Sequence, residues 1–307
     1  MPVVVVGGRG FVGSHVVRAL VAAGARPQLF GPPMPQDRLP DLSGTFDEHD
    51  GTLEAPERLR EVLAATQARL VVSCAAHGAG RLGLMRSGEA EADAALAVNV
   101  LGHRNLLETA REAGVERVVW TSSTVVYGPA DLYPAQPVDE AAPTAPITFY
   151  GLTKTLAEEI AAYHVRRHGQ SIVALRLPLV LGPGLWYEGV AAGLMGLFEA
   201  ARTGAPARIA FHDHALDLMH VNDAAAAILD VLRHKGPLAP VYNLEGFQAR
   251  ASEIVAGIRS LRPSAEIALD VTEPPLLFPL ICGARLRADV SFAPHYDRRT
   301  FVAALLG

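Results

Sequence analysis

The stretch Val3-Val4-Val5-Val6-Gly7-Gly8-Arg9-Gly10-Phe11-Val12-Gly13 decides how the chain is read. Four successive valines predict a strand buried on both faces. From Phe11 to Ala23 the apolar residues recur at helical spacing. Between strand and helix, Gly7, Gly10 and Gly13 form G-x-x-G-x-x-G. Glycines there permit a tight turn and let a pyrophosphate approach the helix N-terminus. An ordinary strand-to-helix turn has the same appearance, so the loop is judged with the rest of the chain. An acidic residue for a ribose hydroxyl belongs near position 31, and this chain has Gly31 there, in Phe30-Gly31-Pro32-Pro33. Arg9 in the loop, and Arg38 beyond it, are then candidates to face a 2′-phosphate. Both NAD and NADP stay open.

Composition narrows the function classes. The chain has 307 residues, of which 50% are hydrophobic and 19% charged, enough for a large buried core. Its formal net charge is −5 and no face collects Lys or Arg, which argues against nucleic acid and anionic membranes as partners. No run is apolar for long enough to span a bilayer, and no basic-then-apolar leader is seen. Cys74 and Cys282 give neither a disulfide framework nor zinc spacing, which suits a reducing cytoplasm. Cys74, within Leu70 to Ala76, is expected in the core.

Short β-branched runs alternate with amphipathic ones. Val3 to Val6, Gln28 to Phe30, Leu70 to Cys74, Arg117 to Trp120 and Ile172 to Leu175 read as strands. Phe11 to Ala23, Glu57 to Ala65, Ala92 to Ala113 and Phe149 to Arg167 read as helices. This alternation predicts an α/β fold, a doubly wound parallel (Rossmann) sheet. Residues 1–177 are expected to form the dinucleotide-binding domain and 178–307 mainly a smaller substrate-binding lobe, with segments near 217–245 returning to the large domain. Met219 to Val221 and Val241 to Asn243 are the candidate returning strands, and prolines from Pro183 to Pro279, Pro274 and Pro275 among them, punctuate the lobe.

A second stretch carries chemistry. Thr121-Ser122-Ser123-Thr124-Val125-Val126-Tyr127-Gly128 follows a predicted strand, and Tyr150-Gly151-Leu152-Thr153-Lys154 opens a predicted helix. Tyr150 and Lys154 are four apart and share one helical face. Free tyrosine titrates near pH ~10, so a neighbouring ammonium and an oxidised nicotinamide would both favour the phenolate. Ser123 is placed to hold a substrate oxygen while Tyr150 exchanges its proton.

Together these stretches resemble the extended short-chain dehydrogenase/reductase family, the NAD-dependent epimerase/dehydratase group. The resemblance runs through the loop Gly7 to Gly13, Asp50, Ala75-Ala76-His77, Asn99-Val100-Leu101-Gly102, Ser123, Val126-Tyr127-Gly128, and Tyr150 with Lys154. Leu175-Arg176, Gly182-Pro183 and His220-Val221-Asn222-Asp223 carry it into the second half. It implies a nicotinamide dinucleotide on Gly7, Arg9, Gly10, Phe11, Val12, Gly13 and Gly31, with Asp50 at the adenine and Ala75 and Ala76 lining the cleft. Tyr150 would be the acid/base, Ser123 its partner, and Lys154 would also bond the nicotinamide ribose. Asn99, near the cofactor, would support the active-site geometry. Relatives pair as homodimers through two helices per subunit, here Ala92 to Ala113 and Phe149 to Arg167, whose alanines look exposed.

Departures from that pattern bear on substrate. An asparagine usual after the strand ending Leu175-Arg176 is here Leu179, and an arginine usual before His220-Val221 is Leu216. Leucine donates nothing to a pyrophosphate, which points away from nucleotide-sugars. Thr124 and Val125 follow Ser123 where dehydratases carry an acid. Arg81, Arg86, Thr124 and Leu179 are the remaining substrate candidates, the two arginines for a carboxylate or phosphate. His212-Asp213-His214 lacks a firm third ligand and is not read as a metal site. Trp186 and Tyr187 are candidates to line a pocket, although aromatics after Gly-Pro-Gly more often pack the lobe. The leading expectation is an NAD(P)-dependent oxidoreductase acting at a secondary alcohol or ketone of a small sugar-like or acidic molecule. A nucleotide-sugar epimerase or dehydratase with an atypical diphosphate site, and a non-catalytic dinucleotide sensor, are the alternatives.

Overall fold

Because alternate residues of a strand face opposite ways, the four valines of β1 (Val3–Val6) divide between two cores. Val3 and Val5 join one cluster with Leu29, Val72, Val119 and Leu175, while Val4 and Val6 join another with Phe30, Val71, Val118 and Trp120. All four are 4% exposed or less, so neither face of the sheet is wetted there. Burying such a side chain stabilises by roughly 1.5–3 kcal/mol. The computed structural model describes residues 2–274 and 276–307, without the side chains of Val190 and Ala191. Pro275, read above as lobe punctuation, lies outside the described residues.

The other strands are β2 (Gln28–Gly31), β3 (Asp47–Asp50), β4 (Leu70–Ser73), β5 (Arg117–Ser123), β6 (Ser171–Leu177), β7 (Leu179–Leu181), β8 (Ala207–Phe211), β9 (Leu216–His220), β10 (Val241–Asn243), β11 (Phe247–Ala249) and β12 (Ile267–Val271). The α-helices are α1 (Phe11–Ala22), α2 (Glu57–Thr66), α3 (Leu84–Ala90), α4 (Ala92–Leu96), α5 (His103–Glu112), α6 (Phe149–His168), α7 (Val190–Thr203), α8 (Val221–Arg233), α9 (Ala251–Leu261), α10 (Ala284–Val290) and α11 (Arg298–Leu306). Seven parallel strands form the main sheet in the order β10-β6-β5-β4-β1-β2-β3. Residues of α1 and α8 fill the core on one face, and residues of α2, α5 and α6 the core on the other. This is the doubly wound α/β fold the alternation predicts.

Three expectations change. Ala92 to Ala113 is not one α-helix: α4 and α5 are joined by a π-helical segment, Ala97–Gly102. Asn99 lies in this wider turn, and its side chain is drawn into two tertiary hydrogen bonds described below. Met219 to Val221 does not return to the main sheet. β9 ends at His220 and pairs with β7 and β11 in a separate three-stranded sheet, and Val221 starts α8. What returns is β10, at the edge beside β6, together with α8, which packs on α1. Finally, α3 was not foreseen.

One buried ion pair seats α6. Glu158 and Arg176 are 8% and 4% exposed. Arg176 donates from Nε to Glu158 Oε1 (2.9 Å) and from Nη2 to Oε2 (2.6 Å), a bidentate fork between α6 and β6. Ser122 of β5 donates to the same carboxylate at 2.6 Å. Arg176 Nη1 donates to the Tyr127 hydroxyl (2.8 Å), which lies 2.9 Å from Asn243 Oδ1 on β10. Tyr150, Lys154 and Glu158 follow at four-residue intervals, so whatever orients Glu158 orients the other two. Replacing Glu158 with Ala leaves a buried guanidinium unpaired and should cost about 3–5 kcal/mol in chemical denaturation. A Glu158→Leu/Arg176→Met double variant should recover most of that, whereas a single-variant loss below ~1 kcal/mol would contradict this role.

Candidate active site

The glycine loop is built for close approach. Gly7 has φ +74°, a left-handed conformation that a side chain resists. A Cβ on Gly13 would stand 2.1 Å from the Gly7 carbonyl oxygen. Gly10 precedes α1 in extended conformation with no side-chain cap, so first-turn N–H groups of α1 are left for an anion. Phe11 and Val12 begin the helix, with Phe11 buried. A Cβ on Gly7 would also lie 3.0 Å from the Ala75 nitrogen, which sets the turn directly against the Ala75-Ala76 segment after β4.

Arg9 does not stand ready for a 2′-phosphate. Its Nε donates to Glu48 Oε1 (2.8 Å), and Nη1 meets Asp50 Oδ1 and the Gly31 carbonyl, each at 3.0 Å. Asp50, assigned to adenine by resemblance, is the last residue of β3 and holds this arginine. Arg38 is occupied as well, donating to the carbonyls of Arg9 (3.3 Å) and Gly184 (3.4 Å) and lying over the Trp186 ring.

Ser123, Tyr150 and Lys154 come together at the end of β5 and the start of α6. Thr148 caps α6 by accepting from the Gly151 nitrogen at 3.0 Å, which places Tyr150 in its first turn. Tyr150 and Lys154 are both buried. Lys154 Nζ donates to the Thr121 carbonyl on β5 (2.7 Å) and lies 5.6 Å from the centre of the Tyr150 ring. Burial pushes the Lys154 ammonium down to about 8, against an upward pull from Cys74 and Glu158. Burial also raises the Tyr150 phenol, with Tyr187 adding to the rise and the Ser123 hydroxyl bond opposing it. Without a cofactor, desolvation is the largest influence on the phenol, while one Lys154 N–H is engaged by the Thr121 carbonyl.

Asn99 supports this arrangement. Its Oδ1 accepts from the His77 nitrogen (2.8 Å) and its Nδ2 donates to Thr153 Oγ1 (3.0 Å), which in turn donates to the Tyr150 carbonyl. Both ends of the amide are used within the protein. Sequence reading missed Thr153, Glu158 and Gly88, where an added Cβ would meet the Tyr150 nitrogen at 2.9 Å and keep α3 away. It also favoured packing over pocket lining for Tyr187, whose ring sits edge-on to Phe11 at 6.3 Å.

The substrate candidates are scattered. Arg81 is exposed and pairs with Glu188 at 3.2 Å. Arg86 is exposed on α3. Thr124 begins the 3-10 turn after Ser123. Leu179 and Leu216 pack against the lobe's core. Asp213 binds the nitrogen and hydroxyl of Ser252, both at 2.8 Å, and His212 Nδ1 accepts from the His214 nitrogen, so that stretch is a structural turn. Cys74 is half-buried against the core, and desolvation pushes its thiol up to about 12, which makes it a poor nucleophile.

The Lys154 value has a consequence for stability. Between about 8 and its ordinary 10.5, the unfolded chain holds a proton that the folded one has released, so stability rises with pH. The raised phenol of Tyr150 reverses that trend above its ordinary value near ~10. Melting temperature measured from pH 8 to 10 should rise more steeply in the wild type than in Lys154→Met. Parallel curves would contradict the assignment.

Residues 3–244 match the NAD-dependent epimerase/dehydratase family. The chain is 32% identical over 201 residues to a UDP-glucose 4-epimerase of Rhizobium meliloti, covering 61% of this chain and 56% of that protein. It is 29% identical over 280 residues to a D-erythronate dehydrogenase of Cupriavidus necator, covering 86% and 83%. The match thus spans little more than half of the epimerase and most of the dehydrogenase. The fold superposes on a GalE-like L-threonine dehydrogenase from Cupriavidus necator with a TM-score of 0.85 at 24% identity, covering 100% of this chain and 99% of that one. With the glycine cradle, the half-buried Ser123 and the buried Tyr150 and Lys154 in place, the chain belongs to the NAD-dependent epimerase/dehydratase family.

Proposed function

We propose that this protein is an NAD-dependent oxidoreductase acting at a secondary alcohol or ketone of a small, sugar-like hydroxy acid. The observation that carries this reading is the assembled Ser123–Tyr150–Lys154 set beside a lobe that offers leucines at 179 and 216. Two apolar side chains give a diphosphate no donor. The long match to D-erythronate dehydrogenase supports a small carboxylate substrate. Arg86 is the candidate for that carboxylate, since it lies exposed on α3, whose Gly88 abuts Tyr150.

The cradle of Gly7, Gly10 and Gly13 and the open first turn of α1 fit a dinucleotide pyrophosphate. NAD fits better than NADP, because a 2′-phosphate would meet the carboxylates of Glu48 and Asp50 around an arginine they already neutralise. Once bound, the nicotinamide supplies the hydride acceptor and a positive charge. The chain's own groups handle the proton. Tyr150 accepts it from the substrate hydroxyl as the carbonyl forms, and returns it in the reverse direction. Ser123 holds the substrate oxygen, and the Lys154 ammonium steadies the phenolate.

The exposed side chains of Leu101, Leu152, Leu156 and Tyr163 lie along the helical segment before α5 and along α6. They, rather than alanines, form the apolar face that we assign to pairing with a second copy. No helix among the described residues is long and apolar enough to cross a membrane, and a reducing cytoplasm suits the two thiols. Tyr150→Phe should lower turnover by at least ~100-fold while NAD affinity changes only a few-fold. Turnover within a few-fold of wild type would remove Tyr150 from the chemistry.

A further inference from the structure

The C-terminal turns of α5 and α6 bring together three metal-ligating side chains remote from the active site. His164 and His168 lie one turn apart on α6, and Glu108 faces them from α5. One ligand atom from each lies within 4.8 Å of the other two. Tyr150 is about 20 Å away along the helix axis, so the cluster takes no part in the reaction proposed above.

The hydrogen bonding decides which nitrogen is available. Gln170 Nε2 donates to the Leu107 carbonyl (3.1 Å), which leaves Oε1 as the atom 2.8 Å from His164 Nδ1. An amide oxygen can only accept, so Nδ1 carries the hydrogen and the neutral ring presents a bare lone pair at Nε2. That lone pair faces Glu108 Oε2 at 4.0 Å. The gap is too wide for a hydrogen bond, and it is about half an ångström wider than the roughly 3.3–3.6 Å that separates two ligands of a tetrahedral ion, so a small side-chain closure would seat one. An oriented Nδ1–H is also the outer support that metal-bound imidazoles commonly carry.

The charges are compatible. Arg111 donates to both carboxylate oxygens of Glu108, from Nη2 to Oε1 (2.6 Å) and from Nε to Oε2 (3.4 Å), so the longer of the two bonds falls on the oxygen that faces His164. We infer that Glu108, His164 and His168 form a binding site for a divalent transition-metal ion of the zinc class. Two imidazoles and one carboxylate suit such an ion better than magnesium or calcium. Three protein ligands leave one position open, and the site adjoins a surface groove of about 430 Å³ lined by Arg104, Glu159, Tyr163 and His164. A bound ion would staple the ends of α5 and α6.

The test is a titration of tag-free, chelator-stripped full chain with Co²⁺, read by ligand-field absorption and melting temperature, then competed with Zn²⁺. Saturable one-to-one binding, a raised melting temperature and displacement by Zn²⁺ are expected. Glu108→Gln and His168→Ala change half-buried and exposed positions and should each weaken binding by at least ~10-fold. His212→Ala, in the other histidine pair, should bind as the wild type does. Absence of saturable binding would mean that Glu108 and His164 form a plain ion pair and would overturn the site. Equal affinity in His168→Ala, or loss of binding in His212→Ala, would overturn it too.

Discussion

The ion pair between Glu158 and Arg176 is the constraint on which the active site rests. It is bidentate, nearly dry, and shared by Ser122, so it ties α6 at once to β5 and β6. Removing two charges from water is costly, and an apolar pair of similar shape can be as stable. What the fork adds is direction. A leucine in place of Glu158 would let α6 slide or turn by small amounts, whereas two parallel N–H···O bonds allow one seating. Lys154 lies one turn before Glu158 and Tyr150 one turn before that, so the seating is passed directly to the two groups to which the proposed function assigns the chemistry. Above them, the Thr148 cap and the Asn99–Thr153 bond hold the same helix from its N-terminal end.

The electrostatics of the site follow from its dryness. Burial disfavours charge on both groups, lowering Lys154 to about 8 and raising the Tyr150 phenol. The protein alone therefore keeps tyrosine as a hydrogen-bonded acid rather than a ready base. A cationic nicotinamide in the cleft would shift that balance, so on the proposed function Tyr150 becomes a competent base only when oxidised cofactor is in place. Phe11 at the start of α1 meets the Tyr187 ring edge-on. His15 adds a tie from α1 to the Pro183 carbonyl and Asn222.

Much of this was legible in the sequence because it is local. Four valines, three glycines and a helical pattern specify β1, the turn and α1 with only short-range information. Tyr150 and Lys154 share a face by arithmetic alone. The misreadings concern partners far away in the chain. Arg9 looked free to take a phosphate, but Glu48 and Asp50, about forty residues on, had claimed it. The π segment around Asn99 carries no local signature, and Asn99 is bonded to His77 and Thr153. Met219 to Val221 overlaps the strand that forms, Leu216–His220, by two residues, and nothing in its composition says that this strand joins β7 and β11 instead of the main sheet. Leu179 and Leu216 were informative in the opposite sense, as absences of a donor.

Net oxidation of a small hydroxy acid, as proposed, is read most directly as absorbance at the reduced nicotinamide band with purified protein and NAD. Four-carbon aldonates and β-hydroxy acids should produce NADH in proportion to substrate consumed, and UDP-hexoses should produce none. Conversion of a UDP-hexose to its epimer with no net NADH, and no response to the hydroxy acids, would contradict the account and make the protein an epimerase.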